Sequence, residues 1–178
     1  QIAHHTHNVG MDKVISTLET VKNLNPEINV RAVKAKLEGE TLEKEVQVAD
    51  IVLDCSDNFT TRFAINAACV KYKTPLVSGA AIRFEGQVSV FNAEKSDSPC
   101  YNCLYQQEGE ELQTCSTNGV IAPITGIVGS IQALEAMKLI MDVGDTLTGR
   151  LLVIDGLTME FTTLKLRKNP HCSTCGKM

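Results

Sequence analysis

Four of the seven cysteines form two CxxC pairs, Cys100 with Cys103 and Cys172 with Cys175. Each pair can present two thiolates from one tight turn, and two such pairs supply the four sulfur ligands of a tetrahedral zinc site. Four thiolates leave no open coordination position, so we expect a structural zinc ion rather than a catalytic one. The 68 residues between the pairs exceed a zinc ribbon. The ion would therefore join distant parts of one domain.

Other interpretations of these cysteines remain open. The pairs could be unrelated thiols, or they could hold an iron–sulfur cluster. A redox-active CxxC usually begins a helix beside a strand, and neither pair is predicted to do so. The cysteines are not spaced as in a small secreted scaffold, so a cytosolic metal site explains them better than disulfides do. We therefore expect a cytoplasmic protein.

The second candidate is the segment 54–62, with the sequence DCSDNFTTR. A short apolar strand is predicted to end at Asp54, and a helix is predicted to begin near Thr60. Ligands of open α/β sheets bind at the carboxyl ends of strands, so Asp57 is well placed to hold Mg²⁺, which prefers carboxylate and phosphate oxygens. The alternative is that Asp57 or Asn58 only caps the helix.

Two further residues could contribute chemistry. Lys13 opens the first predicted helix after Gly10 and could reach a phosphate as a compact positive charge. Cys115 lies outside both CxxC pairs in a polar, acidic segment predicted to be a mobile loop, where its thiolate could act as a nucleophile. The alternatives are a solvated surface lysine and an unreactive surface thiol. Cys55 and Cys69 are expected in or near the core.

The elements that must position these residues follow from hydrophobic periodicity. An order of α, β, α, β, α, β through residue 78 favours a Rossmann-like α/β sheet, mostly parallel, with helices on both faces and antiparallel strands near the C-terminus. The predicted helices are 13–23, 42–48, 60–72 and 127–141. The predicted strands are 28–33, 51–54, 76–78, 86–91, 151–154 and 159–166.

Composition limits the class of protein. The chain has 178 residues, 43% of them hydrophobic, and a formal net charge of −4. This length fits one domain over 1–178, and the negative charge gives no general attraction for nucleic acid or an anionic membrane. The longest apolar stretch, 120–143, contains Glu135 and Lys138, so we expect a buried loop and a core helix rather than a membrane span.

Several segments together resemble the ThiF/MoeB/HesA family, the bacterial relatives of ubiquitin-activating enzymes. The resemblance runs from residue 1 to about residue 176. It rests on these sequences: GxxK at 10–13, DCSDNFTTR at 54–62, PLVSGAA at 75–81, EGQVSVF at 85–91, CYNCL at 100–104, GVIAPITGIVGSIQALEAMK at 119–138, GRLLVIDG at 149–156 and CSTCG at 172–176.

The resemblance implies an adenylyltransferase that uses ATP to activate the C-terminal glycine of a ubiquitin-like sulfur-carrier protein. The carrier would be of the ThiS type, for thiamine, or the MoaD type, for molybdopterin. By resemblance, Lys13 contacts ATP phosphates, Asp57 binds Mg²⁺, Asn58 adjoins the nucleotide and the paired cysteines hold zinc. Cys115 matches the loop cysteine with which ThiF-type members form a covalent link to their carrier, whereas MoeB-type members keep a cysteine there without needing it. The family also implies a homodimer, and the apolar run 119–141 favours one.

The chain departs from the family pattern in one respect. It lacks the Gly-rich nucleotide-binding turn, the acidic residue for the ribose and two arginines, so we expect the 178-residue chain alone to be inactive. The alternative function is a non-catalytic scaffold that binds a ubiquitin-like partner. A zinc-bearing dinucleotide oxidoreductase is a third possibility, but it lacks its glycine fingerprint here.

Overall fold

The computed structural model describes residues 2–105 and 119–176. Cys115 and the rest of the polar segment 106–118 lie outside the described residues. The chain divides into two units, Gln1–Leu37 and Glu38–Met178, and each is described by itself. The prediction of one domain over 1–178 stays a prediction.

The first unit contains a 3-10 helix, Thr6–Asn8, and helix α1, Lys13–Leu24. Ser16 is the buried residue of α1, and its hydroxyl lies 2.9 Å from Nδ1 of His4. The strand predicted over 28–33 is wrong, because those residues form no strand. A strand needs a hydrogen-bonding neighbour, and residues 2–37 contain no strand with which it could pair.

The second unit is built on a five-stranded sheet whose order, β1-β2-β3-β4-β5, follows the chain. Its elements are α2 (Gly39–Val48), β1 (Val52–Asp54), α3 (Phe59–Tyr72), β2 (Leu76–Ile82), β3 (Glu85–Phe91), α4 (Tyr101–Leu104), α5 (Ala122–Met141), β4 (Arg150–Asp155) and β5 (Glu160–Lys165). The α/β class and the Rossmann-like sheet with helices are confirmed.

Strand direction differs from the prediction of a mostly parallel sheet. Among the described strands, β1 and β2 are parallel, whereas β2–β3, β3–β4 and β4–β5 are antiparallel. The connections explain the difference. Helix α3 provides the crossover that parallel strands require, whereas only Arg83 and Phe84 join β2 to β3, which is a hairpin connection.

Helices cover both faces of this sheet, as predicted. On one face, α5 packs Ile124 and Val128 against Val77, Val88 and Val90. On the other face, α2 and α3 form a second cluster with the sheet, with these buried members: Val46, Phe63, Ala68, Cys69, Leu76, Phe91 and Tyr101. Neighbouring residues of a strand point to opposite faces, which is why Leu76 and Val77 belong to different clusters.

Helix α5 is the apolar helix of the predicted core, although it begins at Ala122 rather than near residue 127. By length and composition it would also be able to cross a membrane, a test that core helices of soluble proteins pass too. Its buried residues are Ile124, Val128, Gln132, Glu135 and Ala136. Two of these are polar: Gln132 donates a hydrogen bond to the carbonyl oxygen of Asp54, and Glu135 accepts one from the N–H of Leu147. This packing supports the prediction of a core helix.

Candidate functional site: a cysteine cluster and an acidic turn at the ends of the parallel strands

The structure brings the two CxxC pairs together. Sγ of Cys100 lies 3.6 Å from Sγ of Cys172, and Sγ of Cys103 lies 3.5 Å from Sγ of Cys175. All four sulfur atoms lie within 4.8 Å of one another. Tetrahedral zinc with bonds of about 2.3 Å requires sulfurs about 3.8 Å apart. The four sulfur ligands therefore fit such an ion.

The electrostatics of the cluster also favour a bound cation. Burial raises the pKa of Cys100, and the three neighbouring cysteines raise it further. Burial also acts to raise the pKa of Cys172, but hydrogen bonds from the N–H groups of Cys175 and Thr174 and with the thiols of Cys100 and Cys175 outweigh it and lower that pKa to about 7. The N–H of Asn169 lies 3.4 Å from Sγ of Cys103. Negative charge is thus favoured at some sulfurs and repelled at others, and a divalent cation would stabilise all four thiolates.

One premise of the sequence analysis is wrong here. Cys100 is the N-cap of α4, so the first pair does begin a helix. That helix has only four residues, however, and within the described residues the four cysteines form the group suited to a metal ion. The helix N-terminus directs the backbone N–H of Cys100 to within 3.5 Å of Sγ of Cys103. The geometry therefore supports metal binding better than a redox role.

The second candidate is the Asp57 turn, residues 55–58, which connects β1 to α3. Asn58 is the N-cap of α3, since its Oδ1 accepts a hydrogen bond of 2.9 Å from the N–H of Thr61. Asp57 is exposed, and its Oδ1 accepts a hydrogen bond of 3.3 Å from Nδ2 of Asn58. The capping alternative thus applies to Asn58 and leaves the Asp57 carboxylate outside the cap.

A cavity of about 110 Å³ borders the Asp57 turn. The turn contributes Asp57, α3 contributes Phe59 and Arg62, and the remaining lining residues are Ala80, Ala81, Ile82, Glu85, Gln87 and Tyr105. A larger cavity of about 1260 Å³ opens beside Ile51 and Pro75, at the amino ends of β1 and β2. We assign the candidate site to the smaller one because ligands of such sheets bind at the carboxyl ends of parallel strands.

Sequence reasoning missed three polar residues around the Asp57 turn. Asp54, Arg62 and Gln132 are buried, with exposures of 1%, 8% and 2%. A signal for Gln132 was present, because it falls four residues after Val128 and four before Ala136, on the apolar stripe of α5. A polar residue on such a stripe must find buried partners.

The remaining predicted residues are described separately from this site. Lys13 is exposed at the first position of α1, in the first unit. Cys115 lies outside the described residues. Cys69 is buried as predicted, but Cys55 is exposed, which corrects its expected place near the core. The Cys55 thiol lies 3.5 Å from Oε1 of Gln132.

Comparisons with known proteins agree with the fold and the motifs. The ThiF family model matches residues 1–174. The molybdopterin-synthase adenylyltransferase of Salmonella typhimurium is 41% identical over 177 residues, which cover 99% of this chain and 71% of that protein. The SAMP-activating enzyme E1 of Haloferax volcanii is also 41% identical, over 99% of this chain and 65% of its own.

A crystal structure of E. coli MccB with MccA-N7isoASN superposes with a TM-score of 0.82 at 20% identity. The match covers 99% of this chain and 55% of the MccB chain. At that identity the likeness shows the fold. The family model spans almost the whole sequence, and the chain belongs to the ThiF family.

Proposed function

We propose that this chain forms part of an adenylyltransferase that activates the C-terminal glycine of a ubiquitin-like sulfur-carrier protein with ATP. The observation that carries the proposal is the exposed Asp57 carboxylate beside a cavity at the carboxyl end of β1. The 41% identity to a molybdopterin-synthase adenylyltransferase favours a MoaD-type carrier. A ThiS-type carrier of thiamine synthesis is the second candidate.

In the proposed reaction, a carboxylate oxygen of the carrier attacks the α-phosphate of ATP, and pyrophosphate leaves. Two anions must approach each other, so the site needs positive charge. Mg²⁺ held by Asp57 would neutralise phosphate oxygens. Lys13 would supply a further cation, and Asn58 would adjoin the nucleotide while it caps α3. We assign zinc to the four-cysteine cluster, where it would have a structural role.

The test is ATP–pyrophosphate exchange by the protein as it is naturally produced, with each carrier type added in turn. Asp57→Ala should lower the rate by a factor on the order of 10² to 10⁴, because it removes the proposed metal ligand. Asp50→Ala is the matched control, an exposed carboxylate that precedes the other end of β1. A wild-type protein that binds a carrier but never exchanges pyrophosphate would support the scaffold alternative. Normal exchange by Asp57→Ala would remove Asp57 from the site.

We also propose that Cys115 forms a covalent adduct with the carrier after adenylation. Its thiolate would attack the acyl carbon of the acyl-adenylate, form a thioester and release AMP. Cys115→Ala should leave pyrophosphate exchange nearly unchanged, since adenylation needs no protein nucleophile. The same variant should abolish the adduct seen by non-reducing electrophoresis. An adduct that persists in Cys115→Ala would refute this assignment, and a wild type without an adduct would make Cys115 a surface thiol.

A cytoplasmic homodimer is the proposed form of the protein. Leu134, Met137 and Met141 lie three and four residues apart on α5, with exposures of 56%, 53% and 53%. These spacings place them on one helical face, and exposed apolar faces of this kind are typical of subunit interfaces. Sedimentation at micromolar concentration should give a dimer, which Met137→Glu should weaken. A wild-type monomer would contradict the proposal.

A further inference from the structure

The backbone at the end of β1 and in the Asp57 turn receives side-chain hydrogen bonds from two different helices. Nε2 of Gln132, on α5, donates to the carbonyl oxygen of Asp54 at 3.0 Å and to that of Val77 at 3.1 Å. Nη2 and Nε of Arg62, on α3, both donate to the carbonyl oxygen of Ser56, at 2.6 and 3.2 Å. Since α5 and α3 pack on opposite faces of the sheet, the end of β1 is held from one face and the turn that follows it from the other.

These contacts reach the backbone on both sides of Cys55, at Asp54 and at Ser56. Ser56 lies between the last residue of β1 and the first residue of α3, where the chain leaves the sheet. The N–H of Ser56 donates to Oδ1 of Asp54 at 2.9 Å. Both donor side chains are at least nine-tenths buried, and hydrogen bonds in the low-dielectric interior are electrostatically stronger than in water.

Gly79 shows that the sheet is shaped around the Gln132 amide. A Cβ at Gly79 would lie 2.3 Å from both Cδ and Oε1 of Gln132. Gly79 does not have a positive φ, so its backbone does not require glycine. The missing side chain is needed for space, because it allows the amide to reach the carbonyls of β1 and β2 together.

We propose that Gln132 and Arg62 are positioning residues, which hold the Asp57 carboxylate in place by fixing the backbone at Asp54 and at Ser56 from opposite faces of the sheet. This inference rests on the proposed function. The Asp57 side chain contacts only Asn58 among the described hydrogen bonds, so its position depends on the backbone that carries it. Displacement of a reacting or metal-binding group by about 1 Å can lower a rate about 10²-fold.

The test compares Gln132→Met and Arg62→Lys with the wild type. Methionine keeps the length of glutamine but has no donor, whereas lysine keeps the charge of arginine and one of its donor sites. Gln47→Met is the control, because Gln47 is an exposed glutamine on α2. Arg62→Met, which keeps neither the charge nor a donor, should have a larger effect than Arg62→Lys.

Two measurements separate this inference from the proposed function. Amide hydrogen exchange can be measured without enzymatic activity. The amides of peptides covering 55–58 should exchange about 10-fold faster in the two variants, whereas the exchange rates of β4 and β5 should stay unchanged. In pyrophosphate exchange, the Mg²⁺ concentration for half-maximal rate should rise about 10-fold, with an unchanged KM for the carrier. If the wild type shows no exchange activity, half-saturation by Mn²⁺–ATP replaces the second measurement.

Several results would overturn the inference. Unchanged hydrogen exchange at 55–58 would show that the two side chains do not hold the turn. Faster exchange with a wild-type dependence on Mg²⁺ would make their role purely structural. A wild type that does not bind Mn²⁺–ATP would leave no metal site to position. If Gln132→Met does not fold, Arg62→Lys decides between these outcomes.

Discussion

Asn66 links α3 to the first cysteine pair, and its removal offers a quantitative test of the structure. The side chain is fully buried, at 0% exposure. Its Oδ1 accepts a hydrogen bond of 2.8 Å from the N–H of Tyr101, and its Nδ2 donates one of 2.9 Å to Oδ1 of Asn102. Tyr101 and Asn102 are the two residues between Cys100 and Cys103. Asn66 therefore holds the backbone that carries two metal ligands.

In Asn66→Ala, loss of the hydrogen bond to Asn102 should cost about 1 kcal/mol of stability. The N–H of buried Tyr101, left without its partner, should cost about 1–3 kcal/mol more. We expect the free energy of unfolding to fall by about 2–4 kcal/mol. Urea unfolding at a fixed zinc concentration measures this change, provided that the m-value is unaltered. Zinc transfer to a chromophoric chelator should also be faster, because the ligand-bearing turn is less well held.

Asn102→Ala is the matched comparison. It leaves the N–H of Tyr101 paired with Asn66 but strands the buried Nδ2 of Asn66, so it should cost about 1–3 kcal/mol. An Asn66→Ala protein within about 0.5 kcal/mol of the wild type would refute this reasoning.

Three further predictions test the cysteine cluster, the packing and the pH dependence. Cys172→Ser should lose metal and unfold at a markedly lower temperature, because structural zinc binding contributes to folding; a wild type without zinc by elemental analysis would contradict this. Gly156→Ala should cost about 1–3 kcal/mol, since its Cβ would lie 2.7 Å from the carbonyl oxygen of Phe84. Gly126→Ala, with open space around its Cβ, should instead stabilise α5 by about 0.5–1 kcal/mol in urea unfolding. Burial raises the pKa of Cys69 from 9.0 to about 12, so its contribution to stability is complete below pH 9 and is lost as pH rises towards 12. Cys69→Ala should flatten that decline, and an unchanged slope would refute the assignment.

Local features of the fold followed from residue types and short spacings. Asn58 caps α3 because a short amide side chain at that position can accept from an N–H three residues later. Each CxxC pair likewise places two sulfurs on one turn. The hairpin between β2 and β3 was also encoded locally, by a two-residue connection, although it was not used to assign strand direction.

Other features depend on contacts that no local spacing encodes. Cys103 and Cys175 are 72 residues apart, and it is the folded chain that brings their sulfurs to 3.5 Å of each other. Gln132 reaches the carbonyl of Asp54, 78 residues earlier in the chain. Its position on the apolar stripe of α5 requires a buried hydrogen-bond partner, but the sequence of the stripe does not identify that partner. The partner depends on which strands α5 covers and on the space that Gly79 leaves. The sequence by itself thus determined which residues could bind a metal or cap a helix, whereas only tertiary packing decided which distant backbone groups they meet.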